Sequence, residues 1–142
     1  MEKIFKKITT ITAINYIVLI IVFLIIFLIK DNGERLASRV LSTNVLLGST
    51  IFSIALPILF RTGFYNKSYK NKKLKKNEYF VMKLLIIISV FIGSLFALYA
   101  YYFPILKYHL YLSFLFGLWG LYSVIPSKRI YEKDIITYMV EK

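Results

Sequence analysis

Ser42, Ser49 and Ser53, with Thr50 and Pro57 beside them, come nearest in this chain to a chemical constellation. At about 100° per residue the three serines share one stripe of a helix, and Thr43, Thr50 and Pro57 lie on its flank. Such a row of hydroxyls serves one of three ends: nucleophiles, the lining of an aqueous path, or hydrogen-bonding partners for a neighbouring helix. A nucleophile needs a base. The chain has one histidine, His109, no cysteine and seven acids, none of them inside an uncharged run. That inventory holds no buried carboxylate pair, no thiol and no cluster of metal ligands, so neither catalysis nor a cofactor is expected. No charge accompanies the stripe, which argues against ion- or proton-coupled transport. It is a polar path or a packing face.

His109 is the one side chain whose unperturbed titration falls near neutral pH, and it sits at the start of an apolar run, where a headgroup-level role is expected. Asn15 and Asn44 are the strong amides inside such runs and are read as helix-to-helix glue.

The second chemical signal is charge. Lys67, Lys70, Lys72, Lys73, Lys75 and Lys76, with Arg61, fall between residues 61 and 78, where Glu78 is the one acid. Three readings stand. The segment sets membrane topology only; it contacts anionic lipid headgroups, at about 1 kcal/mol per lysine near the surface; or it docks an acidic partner. Nucleic acid is not an expected partner, since Tyr65 and Tyr69 are the segment's only tyrosines and nothing resembles a binding fold.

The elements that position these residues follow from segregation of charge. The chain has 142 residues, 58% of them hydrophobic, with a formal net charge of +12. A mean hydropathy of +0.67 exceeds what a soluble domain of this size can bury. The uncharged runs cover 8–29, 40–60, 84–106 and 108–127. The first, 22 residues, is about 33 Å long as a helix, against a hydrocarbon core of about 30 Å. It follows a basic start but is too long for the apolar region of a signal peptide, so a retained span is expected. Asp31, Asn32 and Gly33 are turn formers, Glu34 and Arg35 suit a helix start, and Pro104 marks a second turn. Pro57 has no N–H to offer the Ser53 carbonyl, so a kink is expected there.

Small residues predict packing. Ser89, Gly93, Ala97 and Ala100 share a face of the third run, and Ser113, Gly117 and Gly120 share one on the fourth. These two runs are joined by almost nothing, so they form a tight antiparallel hairpin with the small faces opposed. In the tail, 128–142, Tyr131, Ile135, Tyr138 and Met139 lie on one side, with Glu132, Lys133 and Asp134 largely elsewhere, which predicts an amphipathic surface helix.

Four spans put both termini and the basic loop, 61–83, on one side. That side collects fifteen of the nineteen basic residues and is therefore cytoplasmic. The expected fold is an all-α integral membrane protein of the cell membrane, one domain over residues 1–142. In size, four spans and a lysine-rich inner loop the chain resembles two groups in architecture. One is the membrane immunity proteins that protect producers of pore-forming bacteriocins. The other is the small four-span proteins linked to lipid-carried sugar translocation. No motif of either is shared residue by residue. The expected role is a non-catalytic accessory, regulatory or immunity-type interaction protein, its partner another membrane protein or a second copy. The alternative is a homo-oligomeric transporter or lipid-linked-substrate flippase working through the hydroxyl stripe.

Overall fold

The computed structural model describes residues 2–30, 37–103 and 105–141. The turn read at Asp31, Asn32 and Gly33, the helix start at Glu34 and Arg35, Pro104 and Lys142 lie outside the described residues.

The described residues form helices joined by short connections, with no strand among them. Helix α1 (Glu2–Ile29) is followed by α2 (Arg39–Thr50), a π segment (Ile51–Ala55) and α3 (Leu56–Asn71). These last three are continuous and make one 33-residue helix. Helix α4 (Lys76–Tyr102), α5 (Lys107–Ser123) and α6 (Lys128–Thr137) complete the order. Three helices, Glu2–Ile29, Arg39–Asn71 and Lys76–Tyr102, are long and apolar enough to cross a membrane. By length and composition a fourth candidate is α5 taken with α6, a pair bent by 78°. Alone, α5 has 17 residues, about 26 Å of helix. It stops four residues short of the expected 127. Val124 and Ile125 close tight turns onto Leu121 and Tyr122, and Pro126 disfavours helical backbone at the residue before it.

Helix α4 is the hub: α1, α2, α3 and α5 all pack on it, α5 most extensively. Helix α1 packs substantially on α4 alone and leaves Ile14, Ile17, Ile21, Leu24, Ile25 and Leu28 exposed. In lipid such a surface costs nothing to expose, because hydrocarbon is as apolar as the side chains.

The basic connection expected over 61–83 is not a loop. The helix entered at Arg39 runs on to Asn71, and α4 starts at Lys76, so the connection shrinks to residues 72–75. Lys72 takes the left-handed conformation that ends a helix (φ 58°), and Glu78 accepts from the Lys75 N–H at 3.2 Å at the start of the next. Charge marks where a helix leaves lipid. It does not mark where the helix ends, because lysine is a good helix former.

The tail also departs from the surface helix expected of it. Tyr131, Ile135 and Tyr138 pack on a core containing Ile8, Leu74, Tyr79, Met82, Ile86 and Ile87, while Met139 is exposed. The chain then pairs with the α3–α4 turn through a parallel bridge between Leu74 and Val140. Leu74 N–H donates to Met139 O at 3.1 Å, and Glu141 N–H to Leu74 O at 3.0 Å. Asp134 differs too: it turns inward to α4, whereas Glu132 and Lys133 are exposed.

Candidate functional site

Ser53, on the hydroxyl stripe, meets one glycine from each small-residue face. Ser42, Ser49 and Ser53 are 0%, 0% and 2% exposed. Ser42 Oγ donates to Ser38 O at 2.6 Å and accepts from the Leu106 N–H at 3.0 Å, tying the α4–α5 turn to the start of α2. Ser49 and Thr50 bond back to the Leu46 carbonyl. Ser53 lies between two glycines. A Cβ on Gly93 would fall 2.2 Å from Ser53 Oγ and 2.7 Å from its backbone nitrogen, and one on Gly120 would fall 2.9 Å from Ser53 Cβ. The α4–α5 hairpin closes at Gly117, where a Cβ would be 3.1 Å from that of Ala97. Gly93 and Gly120 therefore face the second helix instead of each other. Ala100 packs with Val45 and Ile105, and Ser113 is fully buried.

Just before Pro57, where a kink is expected, the helix carries the π segment. Leu56 N–H bonds to Ile51 O, five residues back. The next amide in that register is the one Pro57 lacks, and its counterpart is the Phe52 carbonyl. Ser89 Oγ on α4 donates to that carbonyl at 2.7 Å. A backbone group orphaned by proline is thus satisfied from a neighbouring helix, as a membrane interior requires. Asn15 is half-buried on α1, and Asn44 is exposed.

A second cluster lies where the tail meets the bundle. Arg61 on α3 and Lys83 on α4 line a small crevice of about 40 Å³. Phe5, Tyr79, Ser127 and Tyr131 are among its other walls. Arg61 Nη2 donates to Ser123 O at 3.2 Å, one of the carbonyls left over at the end of α5. Lys83 is ion-paired with Asp134, whose Oδ2 also accepts from the Tyr79 hydroxyl at 3.2 Å. Tyr79 is fully buried, in edge contact with Tyr131 at 5.8 Å, and Tyr131 stacks at a tilt on Phe5 at 4.9 Å. Burial, then the Asp134 charge and its hydrogen bond, push the Tyr79 hydroxyl well above the ordinary tyrosine value. Burial also raises Tyr131 and Tyr138, so all three stay neutral hydrogen-bond donors at physiological pH.

Sequence reasoning used Arg61 and Lys83 only to count charge. Two signals were there to be read. Lys83 stands directly before the apolar run from Leu84, and Asp134 falls on the helical stripe of Tyr131, Ile135 and Tyr138, at i+3 from the first.

The lysines of the basic segment divide. Lys67 pairs with Glu78 at 2.6 Å, and Lys73 with Glu141 at 3.5 Å. Lys70, Lys72, Lys75 and Lys76 are not in an ion pair among the described residues. Pairing with Lys67, then the Lys75 N–H, holds the Glu78 carboxyl below its ordinary value. No family model, curated protein or solved structure matches the chain, so its function is argued from these residues.

Proposed function

We propose that the chain is a multi-pass protein of the cell membrane acting as a non-catalytic accessory, regulatory or immunity-type interaction protein. In this reading α5 and its flanking turn make a fourth span. The N-terminal end, the basic hairpin and the tail lie on the cytoplasmic side, where basic residues are retained. The observation that carries the reading is the burial of Ser42, Ser49 and Ser53 in helix-to-helix packing. Ser53, wedged between Gly93 and Gly120, leaves no room for a solute at that level, which disfavours the transporter or flippase alternative. The lipid-facing surface of α1 supplies a broad apolar face for a membrane partner or a second copy.

The test is cysteine accessibility at positions 42, 49 and 53, joined to crosslinking and purification in mild detergent. Blocked labelling and a co-purifying membrane partner are expected. Water-accessible labelling along the whole stripe supports transport instead. Isolation as a lone monomer with hydrolytic or transferase activity ends the interaction reading, and export of a reporter fused within residues 66–76 overturns the orientation.

A further inference from the structure

Two further hollows adjoin the crevice at Arg61 and Lys83 in the bundle. The crevice shares Ile87 and Val124 with a narrow gap between α1 and the α4–α5 pair. That gap shares Tyr16, Leu19 and Leu121 with a cleft of about 310 Å³. The cleft is apolar: of the two polar side chains in its wall, Tyr16 donates to Leu121 O at 2.7 Å and Ser94 to Val90 O at 2.9 Å. A seam of adjoining hollows thus leads from two cations to a hydrocarbon-like pocket, with Tyr16 hydrogen-bonded to Leu121 where the gap meets the cleft. It follows α1, which packs substantially on α4 alone.

The charged end suits an anion. Both charged residues lining it are cations, and Asp134 holds Lys83 without lining the crevice. Arg61, Lys83 and Asp134 together carry one net positive charge. The Ser123 carbonyl occupies one of the five N–H donors of Arg61, which leaves most of its fork for a ligand. Arg61 and Lys83 flank the apolar runs 40–60 and 84–106, which places them at headgroup level. A free anion has no use for the apolar cleft, and in a zwitterionic lipid the choline cation competes with Arg61 and Lys83 for the phosphate.

We propose that this seam binds an anionic phospholipid, its phosphate between Arg61 and Lys83 and an acyl chain between α1 and the α4–α5 hairpin. The site rests on the membrane reading above and is separate from the exposed lysines of the basic hairpin. It makes α1 a helix closed over lipid, so headgroup charge sets how firmly α1 is held.

Native mass spectrometry of the full chain released from mild detergent tests it, with phosphatidylglycerol, phosphatidylcholine and inorganic phosphate as probes. Wild type is expected to retain phosphatidylglycerol over phosphatidylcholine by about tenfold, because the choline cation already neutralises its own phosphate and is repelled by Arg61 and Lys83. Arg61→Gln removes the preference, and Ile20→Trp, which fills the cleft from an exposed position, weakens retention of phosphatidylglycerol. The double variant Lys70→Gln/Lys76→Gln keeps the preference. Equal retention of both lipids by wild type overturns the proposal, as does undiminished preference in Arg61→Gln. Displacement of phosphatidylglycerol by inorganic phosphate also overturns it, leaving an anion site with no chain. Lost lipid preference with a partner still crosslinked sinks this site alone, and a lost partner with lipid preference intact sinks the interaction reading alone.

Discussion

Ser53 occupies the space that a side chain on Gly93 would need, its Oγ 2.2 Å from where that Cβ would sit. The close atoms include the Ser53 backbone nitrogen at 2.7 Å, so side-chain rotation does not clear the clash. Gly93→Ala should cost about 2 kcal/mol by forcing the helices apart, and Ser53→Gly in the same chain should restore only part of it. Gly63 has nothing within 4 Å of its added Cβ and lies inside α3. There, replacement by alanine should stabilise by about 0.5–1 kcal/mol. Thermal unfolding in detergent should move in opposite directions for the two variants.

Ser89→Ala leaves the Phe52 carbonyl without its donor from α4 and should cost about 1–3 kcal/mol. Ser113 offers the contrast. Its buried hydroxyl has no partner among the described residues, so Ser113→Ala should be neutral or stabilising. Equal losses in both would show that the bond at Phe52 contributes nothing specific.

Asp134 joins α6 to α4 through Lys83 and Tyr79. Asp134→Ala leaves the Lys83 ammonium, whose side chain is 20% exposed, without its partner. The cost should be about 2 kcal/mol, less than for a fully buried pair because water reaches it. The double variant Asp134→Ala/Lys83→Met should lose less than Asp134→Ala alone. Limited proteolysis of the tail, followed alongside thermal unfolding, separates detachment of α6 from loss of the whole fold.

Acid should loosen the α3–α4 turn before the bundle. Glu78, at the water-exposed start of α4, is held below its ordinary 4.5 by Lys67 and the Lys75 N–H. A depressed carboxyl contributes stability that is complete above its unfolded value and is lost as pH falls through the lower folded one. Hydrogen exchange at residues 72–78 should therefore accelerate below about pH 4.5 in wild type. In Glu78→Gln it should already be fast and should show no such step, apart from the intrinsic dependence of exchange on pH.

The apolar helices were legible because lipid asks one simple thing of a segment, sustained apolarity over enough length. Long apolar helices formed where the uncharged runs lie, and 103–106 alone separates α4 from α5. The last run was overestimated, because Pro126 and the tight turns at Val124 and Ile125 end α5 early while the composition stays apolar.

Periodicity put Gly93 and Gly120 on packing faces and Ser53 on a stripe read as a polar path or a packing face, but it reports angles around one helix axis only. Which face meets which is settled by three helices at once. Ser53 is small enough to enter between two glycines, so the second helix sits in the groove that the α4–α5 hairpin alone was expected to close.

Sequence alone determined the all-helical class, the apolar stretches and the lopsided placement of charge, since each depends on local composition and its match to water or hydrocarbon. Tertiary structure decided the rest. It extended a helix through the basic segment to Asn71 and folded the tail onto the turn through Leu74 and Val140. It also brought Arg61, Lys83 and Tyr131 to one crevice from three helices. Those outcomes depend on contacts between residues far apart in the chain, and their energies exist only once the helices are side by side.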